Sequence, residues 1–279
     1  MKKLLLLATT IILLSAQTTQ EFIEKNAIRV QNELPAKIYK IIKPYRVIIL
    51  GELHGTNEGP ELIYKLSQLI HSKKEKVAVG LEMSETFQKT IDTFFQTNNF
   101  EQLKQSIPFN YPTKFQDGRS STAIALLIKK AALKEIPIIC YDPEDWNNRD
   151  IGMAKNITKV FQAKKLDKII LLAGNAHALL EKSTQQKSKP MANALFSSKF
   201  SIFSQKDILS IHMRSYNTKA WVMLTEIPKI HHFSPIGTVY SKYIPWDMYF
   251  LHEPHNSKKY NATFFWRNIT ASPPLNWKK

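Results

Sequence analysis

With one cysteine, Cys140, in 279 residues, the chain can form no intrachain disulfide, so its fold must rest on an apolar core. Cys140 lies inside the apolar run Ile136–Cys140 and reads as core rather than as a nucleophile. Apolar runs long enough to approach a membrane span are absent beyond residues 1–16. There, Lys2 and Lys3 precede a mostly apolar stretch that ends in Ser15-Ala16. That layout is expected for a secretory signal peptide, too short for a stable membrane span, so the reading is an exported protein, periplasmic or extracellular. No lipid-accepting cysteine lies near the expected cleavage point. A long basic block is missing too: the formal charge is +16, yet the lysines are scattered singly and in pairs such as Lys73-Lys74 and Lys129-Lys130. A solvated basic surface, suited to contact with anionic surfaces, is expected; nucleic acid is not an expected partner, since no nucleic-acid motif accompanies the charge.

Four short, continuously apolar, β-branched-rich runs stand out, and each ends in groups that carry chemistry. Arg46–Leu50 leads into Gly51-Glu52-Leu53-His54, and Lys76–Leu81 into Glu82-Met83. Ile136–Cys140 leads into Tyr141-Asp142-Pro143-Glu144, and Lys168–Ala173 into Gly174-Asn175-Ala176-His177. Apolar residues at helical spacing fill the intervals, for example Leu62, Leu66, Leu69 and Ile70, or Met153, Ile157, Val160 and Phe161. The alternation predicts an α/β fold with a mostly parallel central sheet and helices on both faces. In such sheets ligands bind beyond the carboxyl ends of the strands, where all four polar clusters fall.

The expected organisation is a signal peptide over 1–16, a lead-in over 17–45, an α/β domain over 46–226 and a C-terminal wrapping segment over 227–279. Ile208–Arg214 and Ala220–Glu226 flank Ser215-Tyr216-Asn217-Thr218-Lys219 and predict a late antiparallel hairpin. Residues 183–189 read as a polar loop, and the Pro- and Trp-rich C-terminal segment as irregular.

Glu52, His54, Glu82, His177, Arg119 and Arg149 are the candidate site residues. His54 and His177 each follow a Gly-x-x spacing that lets the chain turn at a strand end. With Glu82 they make a His2Glu set of the kind that holds Zn, Mn or Co with a position left for water; without metal, the same trio serves as a base and its orienting partners. Glu52, two residues before His54, orients it or takes a proton from water. Arg119 and Arg149 suit bidentate binding of an oxyanion, or pair with Asp117 and Asp150. Glu58 is expected in the first turn of the next helix, and Asp142, Glu144 and Asp145 either line the rim or turn the chain. His231-His232, and His252 with His255, read as surface loop.

Leu50-Gly51-Glu52-Leu53-His54-Gly55-Thr56-Asn57-Glu58, Gly80-Leu81-Glu82-Met83, Arg149-Asp150 with Met153-Ala154, and Gly174-Asn175-Ala176-His177 occur in this order. In this the chain resembles the superfamily of ChaN-like haem-uptake proteins, erythromycin esterases and Tiki/TraB proteins, over roughly Val47 to His177. The expected activity is that of a hydrolase in which water, activated by His54, Glu52 and Glu82 with or without a divalent metal, attacks an ester or amide of a small molecule or peptide, with His177 as ligand or acid and Arg119 or Arg149 on the oxyanion. The resemblance to the ChaN-like branch implies the alternative of haem binding without catalysis, with Tyr240, Tyr243, Tyr249 and the late histidines as groups for iron.

Overall fold

The computed structural model describes residues 21–112, 116–182, 188–222, 229–233, 246–253 and 259–276. The expected signal peptide, most of the 183–189 loop, and Tyr240, Tyr243 and His255 lie outside the described residues.

In chain order the elements are β1 (Ile28–Arg29), α1 (Ala36–Ile42), β2 (Val47–Glu52), α2 (Glu58–His71), β3 (Val77–Ser84), α3 (Gln88–Thr97), α4 (Phe100–Gln105), α5 (Thr122–Ala132), β4 (Ile138–Asp142), α6 (Arg149–Ala163), β5 (Lys168–Gly174), α7 (Met191–Ser197), β6 (Ile208–Val222), β7 (Lys229–Phe233), β8 (Met248–His252) and β9 (Ala262–Ile269). The strands form one nine-stranded sheet in the order β1-β8-β9-β6-β2-β5-β3-β4, with β7 paired to β6. β2, β3, β4, β5, β6 and β9 run parallel to their neighbours in that order, while β1, β7 and β8 join antiparallel.

β2 shows why these runs form central strands. All of Val47–Glu52 is buried, because helices cover both faces and alternate residues belong to different cores. Ile48 and Leu50 pack with residues of α1, α2, α3 and α5, whereas Val47 and Ile49 pack with α6 and α7. Burying each such side chain is worth roughly 1.5–3 kcal/mol, so the register is strongly specified. The helices match: α2 buries Leu62, Ile63, Leu66 and Ile70, and carries Pro60 and two acids, Glu58 and Glu61, in its first turn, where a missing N–H and negative charge both suit a helix start. Cys140 is buried in β4, and burial pushes its thiol up to about 12, as a core side chain requires.

The C-terminal half departs from the sequence reading in two places. A late antiparallel hairpin exists, between β6 and β7, but the residues read as its turn, Ser215–Lys219, lie within the continuous fifteen-residue strand β6. They are half-exposed or exposed there, so turn-forming composition marks a solvent-facing stretch of strand. Of the segment read as irregular, the described residues supply β7, β8 and β9 to the same sheet. Residues 270–276 do wrap: Ala271 bridges to Thr56, and Pro274 to Ser121, across the carboxyl edge of the strands. Among the described residues no helix is long and apolar enough to cross a membrane.

Candidate active site

β2 delivers Glu52 at its last position and His54 just beyond. Glu52 is 3% exposed, and its Oε1 lies 3.1 Å from His54 Nδ1 while Oε2 accepts from Thr56 Oγ1 at 3.3 Å. Two glycines hold this corner. Gly55 has φ +79°, a backbone state that side chains with a Cβ disfavour, and its carbonyl accepts from the amides of Trp221 (2.9 Å) and Ser272 (2.8 Å). Gly59, in the first turn of α2, lies so close to the Glu52 carboxylate that a Cβ would collide with Oε2.

β3 delivers Glu82 through a local break in pairing. Leu81 pairs with Cys140 and Ser84 with Asp142, so Glu82 and Met83 together face the single residue Tyr141. That extra residue re-aims the strand at its functional end. Glu82 Oε2 accepts from the Gly174 amide at 2.8 Å, and Oε1 from Arg149 Nη2 at 2.7 Å. His54 Nε2 stands 3.4 Å from Oε2 and His177 Nε2 3.6 Å from Oε1, placing one carboxylate between the two imidazoles.

The third side comes from β4, β5 and α6. Asp142, at the end of β4, takes a fork from Arg149: Nε to Oδ1 at 2.8 Å and Nη2 to Oδ2 at 2.7 Å. Arg119 Nε donates to Asp117 at 2.8 Å, while its Nη1 lies 3.4 Å from Asp142 and 3.7 Å from Glu82. His177, past β5, has Nδ1 2.7 Å from Asp150 and Nε2 3.1 Å from Arg149 Nη1. A guanidinium only donates, so these partners assign the lone pair to Nε2 and the proton to Nδ1.

Electrostatics separate the two histidines. Burial alone would lower His54, but the Glu82 and Glu52 carboxylates outweigh it and raise its pKa to about 10, so it carries a proton at neutral pH. Burial raises Glu52 against the lowering pull of His54 and Thr56. Burial would also raise Glu82, yet protonated His54 and the Gly174 amide hold it well below the usual carboxylate range.

All six candidates thus share one cluster. The sequence reading left out Thr56, which holds Glu52, and weighed Asp150 only as a partner for Arg149, whereas it holds His177; the expected Arg119–Asp117 pair is present, and Asp117 also caps that turn. Glu58 is elsewhere: at the start of α2 it accepts from the Thr270 amide and hydroxyl at 2.9 and 2.7 Å. Glu144 and Asp145 are exposed. His252 sits 2.9 Å from the Tyr45 hydroxyl, and Tyr249 stacks on Phe265 at 4.8 Å.

The expected divalent-metal set does not fit this geometry. Arg149 spans Glu82 (2.7 Å) and His177 (3.1 Å), so a guanidinium holds the space a cation would need. Among the described residues no group of three or more His, Cys, Asp or Glu is arranged to hold a metal ion.

A cleft of about 160 Å3 opens beside the cluster, lined by Glu82, Met83, Phe87, Pro108, Tyr111, Asp117, Arg119, Asp142 and Trp146 among others. A larger cavity, about 350 Å3, lies between α2 and α5 and includes none of the six candidates. The smaller cleft reaches the cluster at Glu82, Arg119 and Asp142.

No protein-family model matches the chain, and no curated protein matches it in sequence. Solved structures do match in fold. A succinoglycan biosynthesis protein aligns at 9% identity over 92% of this chain and 98% of that one, with a TM-score of 0.67. A mutant of erythromycin esterase EreC in its open conformation aligns at 10% identity over 87% and 95%, with a TM-score of 0.60. The haem-binding ChaN of Campylobacter jejuni aligns at 13% identity over 83% and 91%, with a TM-score of 0.41, a likeness too slight to bear on this chain. At these identities the likeness to the first two establishes a shared fold.

Proposed function

We propose that the chain is an exported hydrolase that cleaves an ester or amide with water, through a pair of histidines that stand on either side of Glu82. That placement, with a second carboxylate behind each ring, Glu52 at 3.1 Å from His54 and Asp150 at 2.7 Å from His177, is the observation that carries the reading. His177 Nε2 bears the lone pair, backed by Asp150 at 2.7 Å, while His54 is raised to about 10 and holds its proton. The role first expected of His54, activating water, passes to His177.

In the reaction, a water that displaces the Arg149 N–H from His177 Nε2 gives its proton to that nitrogen as the water oxygen bonds to the carbonyl carbon. The carbonyl electrons move onto oxygen, where N–H groups of Arg149 and Arg119 stabilise the charge. Collapse breaks the C–O or C–N bond, and His54 gives its proton to the leaving atom. Glu82, 3.4 Å from one imidazole and 3.6 Å from the other, stays ionised between them, and the proton gained by His177 and the one lost by His54 are exchanged with solvent before the next turnover. The fold shared with an erythromycin esterase accords with this chemistry.

The test is turnover of a panel of uncharged esters and amides in the presence of chelator. Hydrolysis should survive chelation, and His177→Gln and His54→Gln should each lower kcat by about 100-fold or more. An untouched panel, or activity that chelator abolishes and zinc restores, would overturn the reading.

A further inference from the structure

The cleft beside the cluster has a wall that the proposed chemistry does not use. Trp146 is 65% exposed and Tyr111 40% exposed, although both are large aromatics, and with Met83, Phe87 and Pro108 they line the same cleft as Glu82, Arg119 and Asp142. An exposed indole next to reacting groups is a surface awaiting a partner. The Arg149 guanidinium lies 4.8 Å from the centre of the Trp146 ring, which ties the indole to the cluster while leaving most of it open.

Two quantities narrow what fits. A volume of about 160 Å3 is close to that of a cavity that accepts one benzene molecule, about 150 Å3. Charge disfavours a ring that carries a fixed anion: Arg119, the cation that lines the cleft, is already met by Asp117, Asp142 and Glu82, and those three carboxylates themselves line it. The net charge of +16 is therefore not felt as free positive charge at this mouth.

We infer that this cleft is a subsite for a single uncharged ring of the substrate, which stacks on Trp146 and is closed in by Tyr111. The inference rests on the hydrolase reading for the reaction, while the subsite itself binds a ring whether or not hydrolysis follows. Trp146 and Tyr111 are then specificity-determining residues, and the cluster acts on a bond one or two atoms from the ring.

The experiment has two arms on the full chain. In the first, benzyl alcohol and 4-(hydroxymethyl)benzoate are titrated while the indole N–H signal of Trp146 is followed by NMR, identified by its loss in Trp146→Phe. Benzyl alcohol should shift it saturably, and the anionic ring should bind at least about tenfold more weakly. In the second, kcat/KM is compared for benzyl acetate and n-hexyl acetate, two primary esters of similar leaving group. The ratio should favour benzyl by about fivefold, fall toward one in Trp146→Ala and return in Trp146→Phe. A shift without hydrolysis of either ester upholds the subsite and sinks the hydrolase reading. Hydrolysis with no shift, and with a ratio that Trp146→Ala leaves where it was, overturns the subsite and spares the hydrolase. Equal binding of the anionic and neutral rings overturns the charge argument and the inference with it.

Discussion

A single oxygen of Asp150 accepts from His177 Nδ1 at 2.7 Å and from the backbone amide of Met191 at 2.7 Å. The same carboxylate therefore sets the orientation of the imidazole and the starting point of α7. The Ala192 amide donates back to the His177 carbonyl at 2.9 Å, so ring, backbone and helix form one unit. His177 points at Glu82 because α6 and α7 both grip it.

Asp150→Asn is expected to keep that unit folded, since the amide oxygen still accepts, but to lose the charge that stabilises the imidazolium as His177 takes its proton. The expected outcome is a fall in kcat of about 10–100-fold with little change in KM. Equal loss in KM, or an unchanged kcat, would show that Asp150 acts on structure alone.

His54 makes the site sensitive to alkali. Its folded value is raised from 6.5 to about 10, so its contribution to stability is present in full below pH 6.5 and disappears as pH rises through about 10. The difference in Tm between wild type and His54→Gln should thus be widest below pH 6.5 and should close by pH 10. Activity should also fall as His54 loses its proton, because the leaving atom then has no donor. A Tm difference that is constant across this range would mean that His54 is not held charged by Glu82 and Glu52.

Much of this site could be read along the chain, and the reason is periodicity. The runs ending at Leu50, Leu81, Cys140 and Ala173 are apolar without alternation, which marks strands buried on both faces, and polar residues at their ends follow from parallel topology. Asp150 could not be read in the same way. Its contact spans 27 residues to His177, while Arg149 is its neighbour, so the local reading preferred the neighbour. β6 was misread for a related reason: Ser, Asn and Thr suit both a turn and a solvent-facing strand, and only pairing with β9, from Ile211 to Thr218, decides between them. The C-terminal strands carry aromatic residues suited to strands, but Pro and His between them gave the stronger signal of irregularity.

Gly59 should tolerate no side chain while Glu52 is present. A Cβ there meets the Glu52 carboxylate, which is buried and cannot swing into solvent. Gly59→Ala is expected to cost about 1–3 kcal/mol in denaturant unfolding and to depress kcat by displacing Glu52 from His54. The double variant Gly59→Ala with Glu52→Ala should recover stability relative to Gly59→Ala alone. Additive losses in the two single variants would rule out the collision as the cause.

The C-terminal strap ties the His54 corner to α5, which follows the Arg119 turn, through Ser272. Its amide donates to the Gly55 carbonyl at 2.8 Å, and its Oγ accepts from the Ala123 amide at 2.9 Å, in a position only 1% exposed. Ser272→Ala leaves that helix amide buried without a partner, so unfolding free energy should drop by about 1–3 kcal/mol. Thr270 offers the comparison within the same strap. Its hydroxyl meets Glu58 at 2.7 Å in an exposed setting, and Thr270→Ala should cost less than about 1 kcal/mol, because water replaces what is lost. Since the strap anchors the corner that carries His54, Ser272→Ala should also raise KM or lower kcat, and Thr270→Ala should do neither. If Thr270→Ala were the more costly of the two, the strap would be held at its exposed end and Ser272 would not link His54 to α5.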